Sequence, residues 1–151
     1  MREISRNTKI SQPSVINHLK ALLKEGLIIK EDKGIYPSYK ANRENKFFRL
    51  YKKSDLIMKL NKIGLIDYIS DSCSPNSIIL FDSASKGEDI EESDIDLFIQ
   101  SPEKKINLSN YEKLLKRKIS LFFGENFSKL PTEFKNNIIN GIILKGYLKV
   151  F

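Results

Sequence analysis

Apolar residues change their period several times along this chain, and each change marks an element. Val15, Leu19, Leu22 and Leu23 stand at i, i+4, i+7 and i+8, one face of a helix predicted over Gln12 to Glu25. Ser11 precedes it as the predicted N-cap, because its hydroxyl oxygen can accept an orphan backbone N–H. Pro13 suits the first turn, and Gly26 ends the helix just past its last carbonyls. Residues 2–7 read as a shorter helix, with Thr8-Lys9-Ile10 as the turn between the two. Leu27 to Glu31 and Ile35 to Tyr39 then flank Asp32-Lys33-Gly34, which predicts a β-hairpin. A polar stretch, Asn42 to Asn45, closes this segment.

From Lys46 to about Asp71 the helical period returns in Leu50, Leu56, Leu60, Ile63, Ile66 and Ile69, and Gly64 weakens or breaks it. This reads as a linker helix, with residues 71–77 as a turn-rich loop carrying Cys73, a plain free thiol. Short apolar runs at Ile78–Phe81, Asp94–Ile99 and Ile119–Phe123 predict strands. Helices are expected over Leu108 to Lys118, with Ser109 as a cap, and from Pro131 to Asn140, stopped by Gly141. Ile142 to Val150 gives a last strand or strand pair around Gly146, and Tyr111 and Phe134 read as core residues. The fold class is α+β in three pieces: 1–45, a linker helix 46–72, and 73–151.

Charge sharpens that division. Residues 1–53 hold 13 basic and 5 acidic side chains, a balance of +8, while residues 54–151 hold 13 and 14, a balance of −1. The positive excess of a +7 chain therefore sits in its first third, which suits a polyanion-binding module joined to one with a different task. No apolar run approaches the roughly 20 residues that span a bilayer, and the start lacks a signal-peptide apolar region. The expectation is a cytoplasmic protein without a membrane partner. One Cys makes no internal disulfide or zinc cluster, and one His, His18, argues against a Ser-His-Asp triad. His18 sits beside the apolar face and reads as a packing or capping residue.

The run SQPSVINHLKALLKEGLI, followed by the basic hairpin, resembles the winged helix-turn-helix of prokaryotic transcription regulators over about residues 2–42. The resemblance implies duplex DNA as partner and the second helix in the major groove. Gln12, Ser14, Asn17 and Lys20 lie off the apolar face. Gln and Asn can read adenine edges, while Ser and Lys mostly contact phosphates. Lys30, Lys33 and Lys40 would set the wing against the backbone. Winged helices of this type carry another helix before the first one here. The expectation is a trimmed start, or a second segment or copy over the exposed face, which favours a homodimer.

Between residues 82 and 96 there are seven acids and one Lys. Asp94 and Asp96 alternate with Ile95 and Leu97 on a predicted strand, so both carboxylates share a face, and such a pair attracts Mg²⁺. The string FDSASKGEDIEESDIDLFI resembles the DNA polymerase β-like nucleotidyltransferase superfamily, with a strand, Gly-Ser, a short Lys-Gly turn and Ser-Asp-x-Asp-Leu. The likeness covers about residues 65–149 and implies a small mixed-sheet nucleotidyltransferase fold. By position it implies Ser83, Lys86 and Gly87 on the phosphates of a nucleoside triphosphate, and Asp94 and Asp96 as catalytic metal ligands.

Two positions depart from the pattern: Asp82 stands where the family has Gly, and Ser120 where it has a third Asp. Glu125 lies five residues on as a loop substitute. The favoured expectation is a DNA-binding regulator with a weak or inactive transferase domain. The alternatives are an active Mg²⁺-dependent nucleotidyltransferase with an unknown acceptor, or an antitoxin-like partner of a toxin.

Overall fold

A computed structural model describes residues 2–32, 34 and 37–151. The chain forms two compact units, residues 1–49 and 50–151.

In the first unit, α1 (Arg2–Thr8) and α2 (Gln12–Lys24) are followed by an antiparallel hairpin of β1 (Ile28–Glu31) and β2 (Ser38–Ala41). Val15 and Leu19 are the buried residues of α2, as its apolar period requires. Ser11 holds the cap position in extended backbone, but its side chain makes no capping hydrogen bond. Pro13 is the reason we see: it removes one of the two N–H groups a cap side chain ordinarily reaches. Gly26 turns left-handed at φ 68°, and Leu27 N–H returns to the Leu22 carbonyl, which ends the helix. Asn42 and Asn45 donate side-chain N–H bonds to the Gly26 carbonyl at 2.8 and 3.0 Å. Asn45 Oδ1 in turn accepts from Phe47 and Phe48 N–H, so the polar stretch is a clip and a helix cap. The second hairpin strand lies later than expected, at Ser38–Ala41. Ile35 and Tyr36 of the expected strand lie outside the described residues.

The expected linker helix is two helices, α3 (Lys46–Lys62) and α4 (Leu65–Cys73), broken at Gly64 with φ 76°. They are part of the second unit's core: Leu56, Leu60, Leu65, Ile66 and Ile69 are buried in it. Helix α4 takes up part of the expected loop and ends on Cys73, whose thiol pKa is pushed up by burial, against the charge of Lys104. The remaining elements are β3 (Ser77–Leu80), α5 (Asp82–Lys86), β4 (Ile95–Ile99), α6 (Ser109–Leu115), β5 (Ile119–Phe123), a 3-10 turn (Phe127–Lys129), α7 (Thr132–Ile139) and β6 (Ile142–Gly146). Leu108, not Ser109, caps α6; Ser109 N–H donates to Asn107 Oδ1 at 3.0 Å.

The sheet order is β5-β4-β3-β6, with β4 and β5 parallel and the other pairs antiparallel. Its period-two alternation sorts the apolar residues into two cores. Ile95, Leu97, Ile99 and Ile119 pack with α3 and α4 on one face. On the other, Ile79, Phe81 and Phe98 meet Ile138 and Phe134 of α7. The Phe81, Phe98, Phe122 and Phe134 rings stand 5.4 to 6.1 Å apart, mostly edge to face.

At the end of β6, Gly146 has φ 73°, and a Cβ there would stand 2.0 Å from the Asn76 carbonyl oxygen. Overpacking and the left-handed backbone both oppose a side chain. Gly146→Ala is therefore expected to cost about 2–4 kcal/mol of unfolding free energy, read by urea denaturation. A variant as stable as wild type would refute this close approach.

Candidate functional site

The site is built where β3 turns into α5 and β4 begins. Phe81 N–H donates to the Asp96 carbonyl at 3.2 Å, which sets the end of β3 beside the start of β4. The next residue, Asp82, adopts φ 57°. Left-handed backbone normally goes to Gly, and Asp is among the few others that tolerate it. Ser83 is half-buried, Lys86 is exposed, and Gly87 closes α5 at φ 72°. The segment expected as a turn is thus a single short helix, with its Lys pointed at solvent.

Asp94 lies one residue before β4, exposed, and Asp96 lies within it, half-buried. Their spacing of two puts them on one sheet face. Ser120 is the direct register partner of Asp96 on β5, and its hydroxyl donates to Asp94 Oδ2 at 3.0 Å. The hydroxyl therefore sits between the two strands, tied to one carboxylate of the pair. Burial raises the pKa of Asp96, and the charges of Asp82 and Asp94 push it further up, with Arg117 acting against them. The burial is intelligible from the register: Phe81 lies across from Asp96 on one side and Ser120 on the other.

Glu125 does not join this group. It follows the far end of β5 and lines a polar pocket with Asn76, Gln100 and Lys149. Strands rise about 3.3 Å per residue, so five residues beyond Ser120 carry it well out of reach. Among the described residues, no set of three or more acids, His or Cys is arranged to hold a metal ion.

Sequence pattern alone does not reveal the side chains that hold this corner together. Asp89 is buried to 3% exposure and pairs with Arg117 Nη1 at 2.6 Å and Lys52 Nζ at 3.1 Å. Arg117 also donates to the Ser93 carbonyl at 2.8 Å and the Asp94 carbonyl at 3.2 Å. In the linear string Asp89 is one acid in a run of acids, and Arg117 one base in a basic helix end. The turn that frees Arg117 from the helix comes at Lys116, which is left-handed at φ 53°.

In the first unit, Gln12, Asn17 and Lys20 are exposed on α2 and Ser14 is half-buried. Ser14, Asn17 and Lys20 recur at threes along one stripe, away from Val15 and Leu19. Both wing cations that the structure describes are engaged: Lys30 pairs with Asp32 at 3.0 Å, and Lys40 pairs with Glu31. Lys33 lies outside the described residues. Beside α2 an apolar groove of about 490 Å³ is lined by Ile4, Ile10, Val15, Leu19 and Leu22, with His18 at its rim.

Residues 1–30 match the family model described as bacterial regulatory protein, arsR family. The N-terminal part is thus a helix-turn-helix of the bacterial regulator kind, and the hairpin follows it as a wing. No curated protein and no solved structure matches the chain. Among the described residues, no helix is long and apolar enough to cross a membrane.

Asp96 has a raised pKa in the folded state, so it contributes stability only while protonated. That contribution is full below the unfolded value and is lost as pH rises through the folded one. At neutral pH the ionised group is a net cost. Asp96→Asn is expected to raise Tm at pH 7 by about 2 °C, a gain that shrinks as pH falls towards 4. A Tm that drops at pH 7 would show that the carboxylate is held by a favourable partner.

Proposed function

We propose that the chain is a DNA-binding regulator whose second unit is a nucleotidyltransferase-type domain that binds a Mg²⁺–nucleoside triphosphate and turns it over slowly or not at all. Ser120 carries the reading. It occupies the place opposite Asp96 where the polymerase β-like pattern has its third carboxylate, and its hydroxyl is bonded to Asp94. A hydroxyl at that place is no metal ligand of comparable charge and no general base. A general base alone is typically worth about 10²–10⁴ in rate.

The residues present suit one cation and not two. Mg²⁺ is commonly held by one or two carboxylates together with substrate phosphates. Asp94 and Asp96 share a face, and the carboxyl of Asp96 is under repulsion that a cation would relieve. Mg²⁺ bound there would neutralise charge on the transferring phosphoryl group. Ser83 and the short turn ending at Gly87 would bind the phosphates, with Lys86 as a solvent-side cation. Asp82 works against them, since a carboxylate there repels a triphosphate. One observation favours the alternative of an active transferase: the charge of Asp82 reaches Asp96, so a third acid is near, although on a different element.

Support for the DNA reading comes from the helix-turn-helix match, the exposed stripe of α2 and the +8 balance of residues 1–53. Exposed ion pairs are worth only about 0–1 kcal/mol, so Lys30 could exchange Asp32 for a phosphate at little cost. A gel shift should give a complex with duplex DNA that weakens at least tenfold between about 50 and 200 mM salt. Asn17→Ala and Lys20→Ala should each weaken it. No salt-sensitive complex would remove this half of the proposal.

For the second unit, calorimetry with nucleoside triphosphate and Mg²⁺ should show weak binding to wild type and none to Asp96→Ala. Robust transfer of a radiolabelled nucleotide, abolished in Asp94→Ala, would instead establish an active transferase.

A further inference from the structure

The two edges of the four-stranded sheet are unlike. Edge strands expose unpaired N–H and C=O groups, and proteins ordinarily blunt them with charges, bulges or Pro. The β6 edge is blunted. Its pairing with β3 is irregular between Ile78 and Ile79, Lys145 lies in it and pairs with Asp67, and left-handed Gly146 ends it. The β5 edge, Ile119-Ser120-Leu121-Phe122-Phe123, carries no charge, no Pro and no bulge.

Which groups it presents follows from the hydrogen bonds at its ends. Ile95 N–H donates to the Lys118 carbonyl and Gly124 N–H to the Ile99 carbonyl. In a parallel ladder, alternate residues of a strand face the same neighbour. Lys118, Ser120, Phe122 and Gly124 therefore turn their backbone groups to β4. Ile119, Leu121 and Phe123 turn theirs outward. Glu112 Oε1 accepts the outward N–H of Ile119 at 3.0 Å. Among the described residues, no hydrogen-bond partner takes the N–H groups of Leu121 and Phe123. Phe122, between them, is 40% exposed.

We propose that this edge is a homodimer interface, in which β5 pairs antiparallel with β5 of a second copy about a two-fold axis at Leu121. The segment is self-complementary in that register. Leu121 meets its own counterpart, Ile119 meets Phe123, and Ser120 meets Phe122. Leu121 and Phe123 each donate to a carbonyl of the other copy, and the partner's Phe123 carbonyl takes the Ile119 N–H in place of Glu112 Oε1, which swings aside. Beyond the strand, the same register sets the basic Lys116–Lys118 turn of one copy against Gly124, Glu125 and Asn126 of the other. Lys116, Lys118 and Glu125 are all exposed, so opposite charges meet at both ends of the ladder. A two-fold interface of this kind is isologous and closes at two copies.

Pairing would also change the acid site. Ser120 and Phe122 form a non-hydrogen-bonded pair across the axis, with Cα atoms about 4.5 Å apart. Directly opposed residues point to the same sheet face. Phe122 of the partner subunit would then stand beside Ser120, next to Asp94 and Asp96, and form one wall of the acid face.

The first measurement is on the wild-type chain. Amide hydrogen exchange is followed by NMR across a dilution series, beside light scattering on a size-exclusion column. The expected mass at high concentration is twice the 17.5 kDa of one chain. Leu121 and Phe123 amides should exchange at least about tenfold more slowly there than at high dilution. Ser120, Phe122 and Gly124 amides should be protected throughout. A Leu121→Pro variant removes an outward N–H, which edge strands tolerate, along with a side chain packed against the core, and should be monomeric with its inner amides still protected. Leu121 and Phe123 amides that exchange freely at every concentration would overturn the interface. So would protection of both in a monomer, or a dimer that survives Leu121→Pro.

Discussion

Arg117 holds the acid corner in place. Its guanidinium spans three points of the segment between α5 and β4: the Asp89 carboxylate and the carbonyls of Ser93 and Asp94. Asp89 has almost no solvent contact, so its charge must be met from inside the protein, and Lys52 adds a second cation. A buried ion group of this kind is poor evidence for stability, because desolvation offsets most of its Coulomb energy. Its consequence here is geometric. The chain must arrive at Asp94 from one direction and leave along β4. The two carboxylates, the hydroxyl of Ser120 and the start of β5 follow from that arrival. It also commits the nearest cation. Arg117 lowers the Asp96 pKa, but burial and the charges of Asp82 and Asp94 outweigh it. Asp96 is thereby left with more negative neighbours than positive ones.

Local pattern and long-range register were not equally legible. The helices of the first unit follow from apolar spacing and from Gly26, because these signals act within a turn or two of the chain. Gly64 marked the break between α3 and α4 for the same reason. Where a local signal had a local competitor, the expectation failed. Ser11 has cap geometry without a cap bond, beside a Pro that lacks an N–H. Ser109 yields the cap position to Leu108, and its N–H goes to Asn107 Oδ1. The second hairpin strand lies at Ser38–Ala41, after Pro37, which cannot donate to a ladder.

Of the acid site, the sequence showed the Asp94–Asp96 alternation and no more of its geometry. Period two is a property of one strand. That Ser120 faces Asp96 is a property of two, separated by a helix, and no residue type encodes it. The resemblance to a nucleotidyltransferase pattern put Ser120 only at the place of a third Asp on a later strand, and its position opposite Asp96 came from the register. Asp89 was illegible for a different reason. A buried acid and a solvated acid look alike in a run of acids, and only its two cationic partners, 28 and 37 residues away, tell them apart.

Asp82 and Ser120 bear on the same question from opposite sides. Non-Gly residues in left-handed backbone cost roughly 1 kcal/mol, and the carboxylate adds repulsion towards Asp96. A Gly would relieve both. The acid pair's corner thus has three carboxylates in its neighbourhood, as a two-metal site would, but with the third on the phosphate side of the proposed site. A carboxylate there opposes the approach of a triphosphate, while the hydroxyl of Ser120 offers no base to an acceptor. Each change alone would slow transfer. Together, on the function proposed, they would weaken both substrates of the reaction, the nucleotide and the attacking group, while Asp94 and Asp96 would remain to hold a cation. That combination suits occupancy without turnover better than it suits a slow enzyme, since an enzyme would be impaired at two steps and a binding site at one.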